Sequence, residues 1–135
     1  MKTIHVVGTR KSAVARATLY SGTGIVRINS KLLDFYEPEI YRTKIQEPLI
    51  LAGELSKKVD IRVNVNGGGI NSQSDAARLS VARALAIYDK SLHKIFLDYD
   101  RTLTVADVRR KETNKPNRHG KARSKIQKSY RWKKW

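Results

Sequence analysis

Val59, Ile61, Val63 and Val65 alternate with Asp60, Arg62, Asn64 and Asn66, the cleanest two-residue period in the chain. That period predicts a strand with one buried and one polar face. Residues 12–20 alternate in the same way, Val14, Arg16 and Thr18 falling against Ala13, Ala15, Ala17 and Leu19. With residues 3–7 they read as two strands or one bent strand, Gly8 marking a bulge or bend between them. The run Ser21-Gly22-Thr23-Gly24 signals a turn and residues 25–29 a short strand, so the first thirty residues predict an antiparallel hairpin or meander.

Elsewhere the period lengthens to that of a helix. Residues 32–36 read as a helical turn. Residues 40–55 are apolar at Ile45, Leu49, Ile50, Leu51 and Leu55. Pro48 lies inside that pattern and predicts a break or kink near Glu47, because proline removes one backbone bond and crowds the preceding turn. Gly53 marks the end. The strongest helix signal covers residues 72–88. Ser72 and Asp75 resemble a capping box there, and Ala77, Val81, Leu85 and Tyr88 form an apolar face widened by Ala82 and Ala84. A shorter helix over 91–97 turns Leu92, Ile95 and Phe96 inward. Leu103, Val105 and Val108 are the last apolar residues positioned to dock. Strands followed by a strand–helix crossover predict an α+β fold. It has one mixed or antiparallel sheet of about four strands, packed with two or three helices.

Charge changes the picture at the C-terminal end. Residues 109–135 contain 12 Lys or Arg against one acid, Glu112, a net +11 out of the chain's +16. Their large apolar or aromatic side chains are Ile126, Tyr130, Trp132 and Trp135. Ordering a backbone costs roughly 1–2 kcal/mol per residue, which so few side chains do not recover by packing on themselves. The chain therefore divides into a globular head, 1–108, and an extended basic tail, 109–135, that takes order from a polyanion. Extended, the tail reaches on the order of 90 Å. Lys115 is biased toward extension by Pro116, and Gly120 permits a bend.

The 135 residues contain no cysteine, which excludes disulfides, thiol catalysis and cysteine-held zinc. No apolar run approaches the ~18–20 residues of a membrane span. The first nineteen residues are interrupted by Arg10, Lys11 and Arg16, which argues against a secretory signal and for the cytoplasm. No membrane, small-molecule substrate, cofactor or metal is expected. The histidines, His5, His93 and His119, lack metal-ligand spacing, although His119 lies in the tail, where it is placed to touch RNA. A net charge of +16 points instead to nucleic acid.

Three constellations fit phosphate. Thr9, Arg10, Lys11 and Ser12, with Arg16 beyond, place cations and hydroxyls at a bend. Gly67, Gly68 and Gly69 stand between a strand and a helix, where free N–H groups and the helix dipole converge. The same glycines would equally serve a tight crossover. A P-loop pattern is absent, and no carboxylate trio for Mg²⁺ accompanies the loop. The third is the tail itself, whose Tyr130, Trp132 and Trp135 are able to stack on bases. Arg78 and Arg83, five apart on the long helix, read as independent surface charges.

Taken together, these stretches resemble a known family. GTRKSAVARA (8–17), EPLILAG (47–53), NGGG (66–69), QSDAARLSVARAL (73–85), DYDRTLTVADVRRKE (98–112) and QKSYR (127–131) are each short, but their order and spacing are specific. The chain resembles the universal S-nine family of small-subunit ribosomal proteins in its archaeal form. The resemblance implies a ribosomal S-five domain-two-like head bound to small-subunit ribosomal RNA, beside neighbouring small-subunit ribosomal proteins. It also implies a tail threading through RNA toward peptidyl-site transfer RNA. The residues expected at ribosomal RNA are Arg10, Lys11, Arg16, Gly67, Gly68, Gly69, Arg109, Arg110, Lys111, Lys115, Arg118, His119, Lys121, Arg123 and Lys125. Those expected at transfer RNA are Lys128, Tyr130 and Arg131. The chain departs from the family pattern in continuing past Arg131 with Trp132, Lys133, Lys134 and Trp135. On this reading the protein is a non-catalytic ribosomal constituent. The alternatives are a free-standing, non-specific nucleic-acid binder, or a phosphate-handling enzyme that uses the glycine loop.

Overall fold

The computed structural model describes residues 2–113 and Pro116. The alternating stretch forms a strand, β5 (Val59–Asn66), and it occupies the middle of a five-stranded sheet. Val59, Ile61, Val63 and Val65 are buried, and Arg62, Asn64 and Asn66 are exposed. β1 (Ile4–Arg10) and β2 (Ala13–Ser21) form a hairpin around Lys11 and Ser12, and β2 runs antiparallel to β5 along its whole length. β3 (Val26–Ile28) pairs with the other edge of β5, in parallel, and β4 (Lys31–Leu32) pairs with β3. The sheet order is β1-β2-β5-β3-β4.

Two expectations change here. The first three strands do not form a meander, because β5 separates β2 from β3. The pairing of β2 with β5 aligns Ala15, Ala17 and Leu19 with Val65, Val63 and Ile61 on one buried face, and the three-residue β3 offers much less. The link from β2 crosses the start of β5, where Asp60 holds it. One oxygen, Oδ1, accepts from the backbone N–H groups of Thr23, Gly24 and Ile25 at 2.8, 2.9 and 2.9 Å. Gly8 is not a bulge either. The β1–β2 register passes through Gly8 and Ala15 unbroken. A Cβ on Gly8 would lie 2.7 Å from the Ser80 backbone nitrogen and closer still to the Ala76 carbonyl oxygen. The glycine is there because a helix backbone rests on the strand.

That helix, α2 (Ile70–Tyr88), buries Ala76, Ala77, Leu79, Val81, Ala82, Ala84 and Leu85. Its small residues allow the close approach to β1 and β2. It starts two residues before the expected Ser72, with Gly69 as its cap and no side-chain capping bond. Asp75 turns instead to Lys44 and Arg10. Tyr88 is more exposed than the apolar face predicted. α1 (Glu39–Ala52) runs through Pro48 without the expected break. The ring of Pro48 is fully buried, and packing along α2 offsets the missing bond. Gly53, at φ +59°, ends α1 by donating its N–H to Leu49 and Ile50. In α3 (Ser91–Tyr99), Leu92 and Phe96 are buried but Ile95 is 45% exposed. Beyond it Leu103 is buried, whereas Val108 is 88% exposed, so the core ends at Leu103. Among the described residues no helix is long and apolar enough to cross a membrane.

The Asp60 clamp has a pH signature. The hydrogen bond from Ile25, with those from Thr23 and Gly24 and the nearby Arg62, holds its carboxyl below the usual carboxylate range despite an opposing effect of burial. A depressed carboxylate contributes stability above its unfolded pKa of roughly 3.9, and that contribution fades as pH falls through the lower folded value. Asp60→Ala is therefore expected to lower the urea midpoint at pH 7, with a deficit against the parent that narrows below about pH 4. Urea titrations at pH 3 and 7 measure both.

Candidate nucleic-acid interface

The hairpin turn, the glycine loop and the root of the tail meet at one end of the sheet. β2 and β5 are paired at Val14 and Asn66, so the Lys11–Ser12 turn lies beside the residues that follow β5. Gly67 and Gly68 have φ of +78° and +64°. A Cβ on Gly67 would lie 2.5 Å from the Ser12 carbonyl oxygen, and one on Gly68 would lie 3.1 Å from the Ala13 Cβ. Turn geometry and close approach thus account for both glycines. Gly69 differs: it meets nothing within 4 Å, and it precedes the exposed first residues of α2. From the other side, Arg110 donates through Nη1 to the Lys11 carbonyl oxygen at 3.3 Å.

Asp107 joins these pieces. It accepts from the Arg109 side chain at 2.7–3.1 Å and from the Arg109 N–H at 2.9 Å. It also pairs with Arg10 Nη1 at 2.8 Å. Arg109, with a smaller contribution from Arg10, drives its carboxyl far below the ordinary range, and the same contact raises the Arg109 guanidinium. The carboxylate ties the segment after α3 to β1 and fixes the position of Arg109. Sequence reading passed over Asp107. Its one signal was an acid standing directly before a run of cations.

The expected ribosomal-RNA residues separate accordingly. Lys11, Arg110 and Lys111 are exposed at this end of the molecule. Arg10 is in the same place but only 18% exposed, and it is ion-paired with Asp107 and, at 3.8 Å, with Asp75. Arg109 is exposed yet engaged by Asp107. Arg16 belongs elsewhere, on the outward face of β2 with Val7 and Asn64 as Cα partners. Lys115, Arg118, His119, Lys121, Arg123, Lys125, Lys128, Tyr130 and Arg131 lie outside the described residues, as do Trp132 to Trp135.

Arg78 and Arg83 are not the independent surface charges their spacing suggested. Arg78 is 15% exposed and ion-paired with Glu47 on α1 and with Asp100 at 3.2 Å, and it also donates to Thr102. Arg83 donates to the Thr104 and Val7 carbonyl oxygens at 3.0 and 2.9 Å. Both fasten the chain after α3 onto α2, because that segment returns across the helix face that bears them. No cluster of His, Asp or Glu able to hold a metal ion occurs among the described residues.

Comparison with known proteins bears on this arrangement. The family described as Ribosomal protein S9/S16 matches residues 8–131. The small ribosomal subunit protein uS9 of Methanococcus vannielii is 47% identical over 134 residues, covering 97% of this chain and all of that protein. The uS9 proteins of two Methanococcus maripaludis strains match to the same identity and extent.

Proposed function

Since this chain belongs to the ribosomal protein S9/S16 family, we propose that it is a structural, non-catalytic constituent of the small ribosomal subunit in the cytoplasm, resembling the archaeal uS9 proteins. Its head binds small-subunit ribosomal RNA and touches neighbouring ribosomal proteins, and its tail carries that contact toward peptidyl-site transfer RNA. The observation that supports this reading is the meeting of Lys11, the 67–69 loop and Arg110 at the point where the +11 tail departs.

In this reading Lys11, Arg110 and Lys111 meet phosphate directly. The N–H groups after Gly69 add uncharged donors at a helix N-terminus. Arg10 and Arg109 position the tail root through Asp107. Lys115, Arg118, His119, Lys121, Arg123 and Lys125 continue the ribosomal-RNA contact, and Lys128, Tyr130 and Arg131 serve transfer RNA. Arg16 acts from the sheet.

The test is binding of the full chain to a small-subunit ribosomal RNA transcript across a salt series. If about six tail cations neutralise phosphates, log K falls against log[salt] with a slope of roughly −4 from the tail alone. Removing residues 109–135 is expected to abolish most of the affinity and that slope while the melting transition of the head persists. Subunits rebuilt with a chain lacking residues 128–135 are expected to hold transfer RNA in the peptidyl site more weakly. Recovery of the native protein only free of small subunits after a high-salt wash would overturn the reading.

A further inference from the structure

α2 packs on one face of the sheet, with α1 and α3 against α2, and the opposite face is exposed or half-buried among the described residues. The outward positions form rows across the strands. His5, Thr18, Arg62 and Arg27 are successive Cα partners from β1 through β2 and β5 to β3. Val7, Arg16 and Asn64 make the next row, and Thr9, Val14 and Asn66 the one beyond. That last row leads to the Lys11–Ser12 turn, so this outward face is continuous with the end of the molecule where the tail departs.

The charges on this face are unbalanced in a specific way. Four of the eight arginines in residues 1–108 are neutralised or tied down: Arg10 by Asp107, Arg42 by Glu39, Arg78 by Glu47 and Asp100, and Arg83 by two carbonyl oxygens. Of the other four, Arg101 lies after α3 and three lie on the sheet. Arg16, Arg27 and Arg62 make no ion pair among the described residues, and all three are exposed. Arg27 and Arg62 are also direct cross-strand partners, an arrangement in which like charges repel. Asp60 is the one acid among the outward strand positions; it lies near enough to Arg62 to be stabilised by it, while its Oδ1 is occupied by three backbone N–H groups. Arg62 lies over the Tyr20 ring, 5.7 Å from its centroid, which presents its guanidinium at the surface. Asn64, Asn66 and Thr18 surround these cations with uncharged donors and acceptors.

We propose that this face is a second RNA-docking surface, on which Arg16, Arg27 and Arg62 take backbone phosphates of small-subunit ribosomal RNA. An intervening phosphate turns the Arg27–Arg62 repulsion into a shared attraction, and guanidinium groups suit bidentate phosphate contacts. The occupant is RNA rather than an apolar partner because the face carries cations and amides, with Val7 and Val14 its aliphatic side chains among the paired rows. The proposal rests on the reading that ribosomal RNA is the partner, and adds a surface separate from the tail.

The test uses the full chain and two variants. Arg16→Gln/Arg27→Gln/Arg62→Gln is expected to bind the ribosomal RNA transcript on the order of 30-fold more weakly at 0.15 M salt, with a salt slope shallower by about 2. Its melting temperature is expected to match or exceed the parent's, since a like-charge pair is gone. Thr18→Glu places a carboxylate opposite Arg62, and is expected to raise the melting temperature while weakening RNA binding. Opposite signs for stability and affinity are not what a purely structural role produces.

Unchanged RNA affinity and slope in both variants would overturn the proposal. So would intact RNA binding combined with loss of a neighbouring ribosomal protein from rebuilt subunits, which would make the face a protein contact. A tail variant, with Lys115, Arg118, Lys121, Arg123 and Lys125 changed to Gln, separates the two readings. If that variant loses affinity while the sheet variants do not, the sheet proposal alone fails. If none of the variants loses affinity, the ribosomal-RNA reading itself fails.

Discussion

Gly8→Val is expected to cost the head about 3 kcal/mol or more and to lower its melting temperature by at least roughly 12 °C. The cause is steric and has no easy escape. The atoms in the way of a Cβ are the Ala76 carbonyl oxygen and, at 2.7 Å, the Ser80 nitrogen, both backbone of α2. A side chain would swing aside, but a helix backbone moves only as a unit. Accommodation therefore requires α2 to lift from β1, opening the interface that buries Ala15, Ala77 and Val81. Overpacking a well-filled core typically costs 1–3 kcal/mol, more when the obstruction is rigid. Gly8→Ala shares the clash and is expected to show a smaller loss. Gly69→Ala is the control, since nothing lies within 4 Å of its added carbon and its φ is negative. Thermal melts of the three variants measure the contrast. A melting point for Gly8→Val within a few degrees of the parent would show that helix and strand do not pack this closely.

Arg78→Ala is expected to destabilise the head by about 2 kcal/mol, below the range for breaking a fully buried ion pair because the Glu47 and Asp100 side chains are 32% and 37% exposed. Arg78 joins three parts of the chain: Glu47 on α1, its own helix, and Asp100 with Thr102 after α3. Glu47 Oε2 is buried and has no hydrogen-bond partner besides its ion pair with Arg78. Truncation leaves that oxygen desolvated and facing no cation, which accounts for most of the expected loss. Asp100 suffers less, because its carboxyl is held below the usual range first by the Thr102 backbone N–H and only in part by Arg78. The paired change Glu47→Gln/Arg78→Met removes both charges and is expected to recover part of the stability. Urea titration of the single and double variants gives the coupling. If Arg78→Ala and the double variant unfold at the same midpoint as the parent, the ion pair contributes nothing.

These two predictions fall on residues that the sequence reading placed differently. Local pattern makes Gly8 a bulge or bend in the strand, and Arg78 an independent surface charge. In both cases the deciding contact comes from a segment many residues away: Ala76 and Ser80 for the glycine, Glu47 and Asp100 for the arginine. The candidate interface divides along the same line. Lys11 and Arg16 remain available to an anion, whereas the adjacent Arg10 is neutralised by Asp107, a residue far along the chain. The cations on the sheet, Arg27 and Arg62, were not singled out from the sequence. They become a surface feature only once β3 is placed beside β5.

Periodicity by itself determined a good part of the molecule. β5 has the bounds that its alternation predicted, and the α+β class and the long helix over most of its span follow from local pattern. The family resemblance was legible in ordered motifs, and the concentration of +11 of the chain's +16 in residues 109–135 was legible in composition. Such features are local: a period records which face of an element is buried, and a count of charges needs no partner. The tertiary structure alone decided that β5 would insert between β2 and β3, that α1 would continue through Pro48, and which arginines would be neutralised. Those outcomes depend on which distant segment arrives alongside. Burial and charge pairing belong to pairs of residues, so neither member of a pair reveals its state until the fold has brought the other within reach.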